Sequence, residues 1–314
     1  ASLDGTNACN NILIGCCAGK LVTTAKHNVF LGTYAGAGDA SCSAVTGGYN
    51  VAFGWCTSPN LYDGTGNVSI GKETARLFQT GASNIFIGTN AAQCKKSGSG
   101  NVALGQEALR GSTTATNNTG QHNIAAGYYA GHGVTSGNCN VFLGRQAGEY
   151  NTSGYDHIAI GSYALDKNCT GSQSIAIGYM ALCSNQENLG NVAVGPNAGK
   201  NGSGGYNSFF GSYAGGQGSP QDCNTFIGYH AGLRNSGRRN VAIGKGALMG
   251  GSTGCTSNAD NIAIGSCALA CIQNANYNIA MGCFAGCAIT TGNSNIIFGH
   301  CSGNNITTGD CNIV

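Results

Sequence analysis

Apolar residues come along this chain in threes. Each triplet follows a polar residue, nearly always asparagine, and ends on a glycine: Asn28-Val29-Phe30-Leu31-Gly32, Asn140-Val141-Phe142-Leu143-Gly144 and Asn240-Val241-Ala242-Ile243-Gly244 are three of many. Aligned on that first residue, the units start at 11, 28, 50, 67, 84, 101, 123, 140, 157, 174, 191, 207, 224, 240, 261, 278 and 295, with His157 and Ser174 standing where the others have Asn. The step is 17 residues in most cases and 16 in some. In three cases it is 21 or 22, which places insertions within 37–49, 110–122 and 249–260. The fifth position is Gly in all seventeen complete units and the eighth is Ala in fourteen. A second Gly often lies three residues before the next start, as at Gly81, Gly154 and Gly292.

Short β-branched runs bounded by glycine predict strands rather than helices, and a helix would lose about 1 kcal/mol for each interior Gly. A fixed period predicts stacked copies of one small element. One unit is therefore one coil, and the chain reads as an all-β solenoid, or β-roll, of about seventeen 17-residue coils forming a single repetitive domain over 1–314. With strands ~4.8 Å apart, such a stack makes a rod on the order of 80 Å. Identical residues then stand above one another, so Asn28, Asn50, Asn67, Asn84 and Asn101 predict a side-chain ladder.

The alternation within a strand raises a question of faces. With the Asn as position 1, positions 2 and 4 are apolar (Val29 with Leu31, Val241 with Ile243) and position 3 points the other way. Position 3 is Ala in nine units and Phe in five, and it trades volume with position 9. Phe30, Phe86, Phe142, Phe209 and Phe226 go with Gly or Ala at position 9; Leu109, Leu165, Leu182, Leu248 and Leu269 go with Ala at position 3. Descent from two repeat subtypes would also produce such a pattern, but packed side chains have a physical need to trade volume. The expectation is that positions 2 and 4 line one face while positions 3 and 9 share a buried layer on a second. Other copies of the chain would cover that second layer, most economically as a homotrimer.

Composition narrows the function classes. Of 314 residues 54 are Gly, only 8 % are charged, and the net charge is +2 with no basic block, so the electrostatic footprint of a nucleic-acid binder is missing. No apolar run approaches the ~18 residues that span a membrane.

Candidate chemistry is sparse. Gly66-Asn-Val-Ser-Ile-Gly71-Lys72-Glu73 approaches a phosphate-binding loop but ends on Glu and coincides with a repeat strand. The six His are scattered over different columns without zinc-like spacing. Glu149 and Asp166 fall at equivalent places in adjacent units, the one candidate for the paired carboxylates of a glycosidase, and read more simply as turn acids. The 17 Cys are odd in number, so full pairing within the chain is impossible. Cys267 with Cys283, and Cys271 with Cys287, fall at near-equivalent positions of adjacent coils and are candidate disulfides, against a reading of most Cys as small buried hydrophobes. Trp55 and Tyr62, just after the first insertion, could form a sugar patch or simply pack. These readings assign no catalytic, cofactor-binding or metal-ligating residue.

The core N-[VI]-A-[IL]-G-x-x-A is similar to the head repeats of trimeric autotransporter adhesins. The fuller phrases Thr290-Thr-Gly-Asn-Ser-Asn-Ile-Ile-Phe-Gly299 and Thr135-Ser-Gly-Asn-Cys-Asn-Val-Phe-Leu-Gly-Arg-Gln-Ala-Gly148 more closely resemble repetitive tail-fibre proteins of marine cyanophages. The resemblance covers essentially 11–314. It departs from the adhesin heads in its longer period and its many Cys. It implies a trimeric extracellular fibre shaft that presents a receptor-binding tip. Its partners would be further copies of itself, in a trimer or head to tail, and a host-surface glycan or receptor, with no nucleic acid, membrane or cofactor. Asn312-Ile313-Val314 opens an eighteenth unit, which suggests a longer fibre. A surface adhesin binding through its lateral face is the alternative expectation, and a polysaccharide depolymerase a more remote one.

Overall fold

The computed structural model describes residues 8–38, 44–113, 118–184, 189–251 and 257–314. It contains seventeen strands of three residues each, from Ile12–Ile14 to Ile296–Phe298, and no helix among the described residues. The fold is an all-β parallel solenoid of about sixteen turns. The chain divides into two compact units, Ala1–His157 with eight of the strands and Ile158–Val314 with nine.

Within each unit successive strands pair in parallel and in register. Val29 stands opposite Val51, Phe30 opposite Ala52 and Leu31 opposite Phe53; in the second unit Phe209 stands opposite Phe226. Pairing continues around the coil beyond the strands. The amide of Gly19 donates to Ala35 O at 2.9 Å and that of Leu21 to Ala37 O at 3.0 Å. Each coil thus satisfies its backbone against the coil before and the coil after, as a solenoid requires.

The strands are short because the backbone turns left-handed at both ends. His27, just before Asn28, has φ 60°, and Gly32, just after Leu31, has φ 129°. At the fifth position glycine is required twice over. Gly15 has φ 131°, and a Cβ there would stand 2.6 Å from the carbonyl oxygen of Gly32 one coil on. The next corner uses ordinary residues in the same region, among them Tyr34 (φ 59°), Tyr163 (φ 59°) and Leu165 (φ 53°). A left-handed turn costs such residues about 1–2 kcal/mol each, a cost held in place by the ladder of hydrogen bonds on either side.

Positions 3 and 9 share a buried layer, as expected, but it lies inside the chain's own coil and not against other copies. Position 3 points into the coil, where it meets positions 8, 9 and 12. Phe30, Phe86, Phe142, Phe209 and Phe226 are fully buried within their own chain, as are Leu109, Leu165, Leu182, Leu248 and Leu269. These ten side chains therefore have no surface left with which to form a trimer contact. The volume trade lies inside the coil: a Cβ on Gly215 would collide with the ring of Phe209, and one on Gly199 with both Phe209 and Leu182. A three-residue strand in so narrow a coil has a single inward side chain, and the ring fits only where position 9 is small. Positions 2 and 4, expected to line one face together, do so and face outward, with Ile12 and Ile14 more than half exposed and Ile85, Ile87, Leu104, Ile124, Phe210 and Ile227 about 40 % exposed.

Candidate interaction surfaces

The asparagine column builds the frame on which every surface group is placed. Asn84 donates its backbone amide to Asn67 Oδ1 at 3.1 Å and its Nδ2 to the same oxygen at 2.8 Å. Its Nδ2 also reaches Gly98 O at 2.9 Å, and its own Oδ1 accepts from the amide and the Nδ2 of Asn101. Asn28, Asn50, Asn67 and Asn101 repeat the arrangement. In most coils a Gly three residues before the next start supplies the carbonyl that the Asn Nδ2 needs, whereas Asn11, Asn240 and Asn261 use Ala25, Asn258 and Ala275. At Gly64 a Cβ would press on Leu61 and on the Nδ2 of Asn67. His157 keeps part of the pattern by donating its backbone amide to Asn140 Oδ1 at 3.0 Å.

Outside this frame the first unit carries a polar array. Positions 7 and 10 of successive coils stand side by side, giving Glu73 with Arg76, Asn90 with Gln93, Glu107 with Arg110, and Tyr129 with His132. Gln93 Nε2 donates to Glu73 Oε2 at 2.8 Å, and Arg110 Nε donates to Gln93 Oε1 at 3.2 Å. Arg110 Nη1 donates to Glu107 Oε2 at 3.2 Å, and His132 Nε2 lies 3.3 Å from the same oxygen. Burial, seconded by Arg110, lowers the His132 pKa. Burial and the hydrogen bond to Glu107 push Tyr129 up to about 12. The array was legible as polar pairs three residues apart at fixed unit positions, a signal the apolar pattern overshadowed.

The other candidates stand outside this array. Glu149 accepts from Gln146 Nε2 and lies in the first unit; Asp166 lies in the second. Both are largely buried. In the segment resembling a phosphate loop, Val68–Ile70 is a strand and Lys72 Nζ sits 5.4 Å from the centre of the half-exposed Trp55 ring. None of the fifteen described cysteines, Cys267, Cys283, Cys271 and Cys287 among them, forms a disulfide. The Cys271 amide donates to Cys287 O at 3.3 Å, so these two are backbone neighbours without a sulfur bridge. Among the described residues no group of three or more His, Cys, Asp or Glu is placed to hold a metal ion, and no helix is long and apolar enough to cross a membrane. Parts of the three insertions, 39–43, 114–117 and 252–256, lie outside the described residues.

Lys95 is the one interior cation described. It occupies position 12, as Phe78 does in the preceding coil, and it is only 1 % exposed with no hydrogen-bond partner for its Nζ. Burial lowers its pKa from 10.5 to about 7. A comparison with family models matches no part of the chain, and a comparison with curated proteins finds no relative.

Proposed function

We propose that this chain is the shaft of an extracellular fibre, of the kind that carries a receptor-binding tip in phage tails. Its copies would pack side by side about a common axis as a homotrimer, through the outer face of the sheet. The observation that carries this reading is the apolarity of that face. Positions 2 and 4 of the seventeen strands are Val, Ile, Leu, Phe, Met or Ala everywhere except Ser208 and Thr225, and none is charged. Eight or nine strands at ~4.8 Å spacing give each unit a face on the order of 400 Å², within the size of patch that marks an interaction site. A second copy is the occupant that fits, because it presents the same rows at the same spacing, and cyclic closure leaves no such face wet. The role is mechanical: many mutually paired coils must separate before the shaft yields.

The native mass, measured by light scattering with and without reductant, tests the reading. A particle of three chains of 31.5 kDa that persists under reductant supports it. A monomer at micromolar concentration overturns it.

A further inference from the structure

Two concavities lie next to each other on the position-10 edge of the first unit. One, of about 510 Å³, is lined by Lys20, Tyr34, Asn60, Arg76 and Leu77 among others. The other, of about 450 Å³, is lined by Arg76, Leu77, Gln93 and Arg110. Each has the volume of a small-ligand site, and they share Arg76 and Leu77, so they read as one furrow. Among the described residues no carboxylate lines either of them, in a chain with nearly as many acidic residues as basic ones.

The cations stand at one repeat position in coils starting at 11, 67 and 101. Three coils separate Lys20 from Arg76 and two separate Arg76 from Arg110, which at ~4.8 Å per coil spaces them by about 14 and 10 Å. Between them the walls offer amides (Asn60, Gln93) and apolar surface (Leu77, Tyr34), the mixture that suits neutral rings bearing hydroxyls. Beside the furrow, Glu73 lies 3.7 Å from Arg76 and Glu107 lies 3.2 Å from Arg110. Those carboxylates would repel a densely charged chain such as a nucleic acid or a heavily sulfated polymer, whereas a chain with one charge every few rings can place each charge on a cation.

We propose that this furrow binds a sparsely charged acidic polysaccharide, with its carboxylates on Arg76 and Lys20 and its neutral rings against Leu77, Tyr34 and the two amides. The proposal stands apart from the shaft reading: it requires only that the first unit be folded, whatever the number of chains in the particle.

The test uses the full chain and hyaluronan oligosaccharides, which carry one carboxylate per disaccharide, with neutral dextran, heparin and single-stranded DNA as competitors, by titration calorimetry at low and moderate salt. The expected result is saturable, salt-sensitive binding of hyaluronan. Arg76→Ala should weaken it about tenfold, as the loss of one charge-assisted contact does. Lys20→Ala should weaken it by a smaller factor, Arg76→Lys should retain most of it, and Lys245→Ala, in the second unit, should leave it unchanged. Unaltered thermal unfolding of each variant separates loss of the site from loss of the fold. The proposal is overturned if hyaluronan does not bind, or if dextran binds equally well. It also fails if heparin or DNA binds more tightly, or if Arg76→Ala and Lys20→Ala change nothing while only variants that unfold lose binding.

Discussion

Phe209 and Gly215 share one space: a Cβ on Gly215 would stand 2.6 Å from ring carbon Cε1 of Phe209. Gly215→Ala should therefore destabilise the second unit by about 2–4 kcal/mol, from crowding of the ring and from the left-handed backbone together. The same rule predicts a rescue elsewhere. Ala242→Phe alone should be severely destabilising because Leu248 fills the layer, while Ala242→Phe with Leu248→Gly recreates the pairing seen at Phe226 and Gly232. Thermal unfolding of the two single variants and the double variant checks this. Additive losses would show that positions 3 and 9 do not share a layer.

Removing one rung of the asparagine ladder leaves buried groups on both sides unpaired. Asn84→Ala strands the amide of Asn101 and the carbonyl of Gly98 in a dry interior. A loss of about 3 kcal/mol is expected in denaturant unfolding, with hydrogen exchange rising first at the amide of Asn101. A change below about 0.5 kcal/mol would mean that the rung carries no load.

Lys95 makes stability depend on pH in a direction that can be worked out. Its folded pKa of about 7 lies below the ordinary 10.5, so between those values the unfolded chain holds a proton that the folded chain does not. Stability should rise with pH through that window, by ~1.4 kcal/mol per pH unit for this group. Lys95→Met should stabilise the protein at pH 7 by up to ~4 kcal/mol, and the gain should shrink as pH approaches 10. A gain that is the same at pH 7 and pH 10 would contradict a neutral buried amine.

In the homotrimer proposed above, a charge on the outer face of the sheet should separate copies without unfolding them. Ile85→Lys and Val241→Lys place an ammonium among exposed apolar neighbours, where the chain can keep it in water. Light scattering should show a smaller particle, with circular dichroism unchanged. An unchanged mass in both variants would show that the sheet face is not the contact.

Thiol labelling should follow exposure. Cys139 and Cys223 are exposed, whereas Cys94 and Cys183 are buried and have pKa values raised by that burial. Iodoacetamide at neutral pH should modify the first two well before the second two, as followed by peptide mass spectrometry. Equal rates at all four sites would mean that the coils open faster than the reagent acts.

The period, the strand triplets and the ladder were legible because each rests on one residue type in one column: the Asn at Asn84, or the Gly at Gly15, where only a residue without Cβ fits. The direction of the faces was not. Ile85 and Ile87 are more apolar than Ala103 or Ala125, so hydrophobicity alone places the wrong pair inside; only the Phe and Leu volume trade carried the true burial. The left-handed corners were hidden because Tyr34, Glu73 and Cys267 share no chemistry, and the conformation is imposed by hydrogen bonds to neighbouring coils. Lys95 at position 12 looks like a surface residue, and nothing local marks the column as interior.

The ladder also restores phase. The Asn50 amide finds Asn28 Oδ1 at 2.9 Å across 22 residues, Asn123 finds Asn101 at 3.1 Å across 22, and Asn261 finds Asn240 at 3.0 Å across 21, with the same geometry as the 17-residue steps. An insertion at these corners is thus forgotten by the next asparagine. Each coil is an independent place where sequence can be added, and a change of length at one level leaves every other level in register. A fold built this way can vary its lateral features one at a time while its pitch stays fixed.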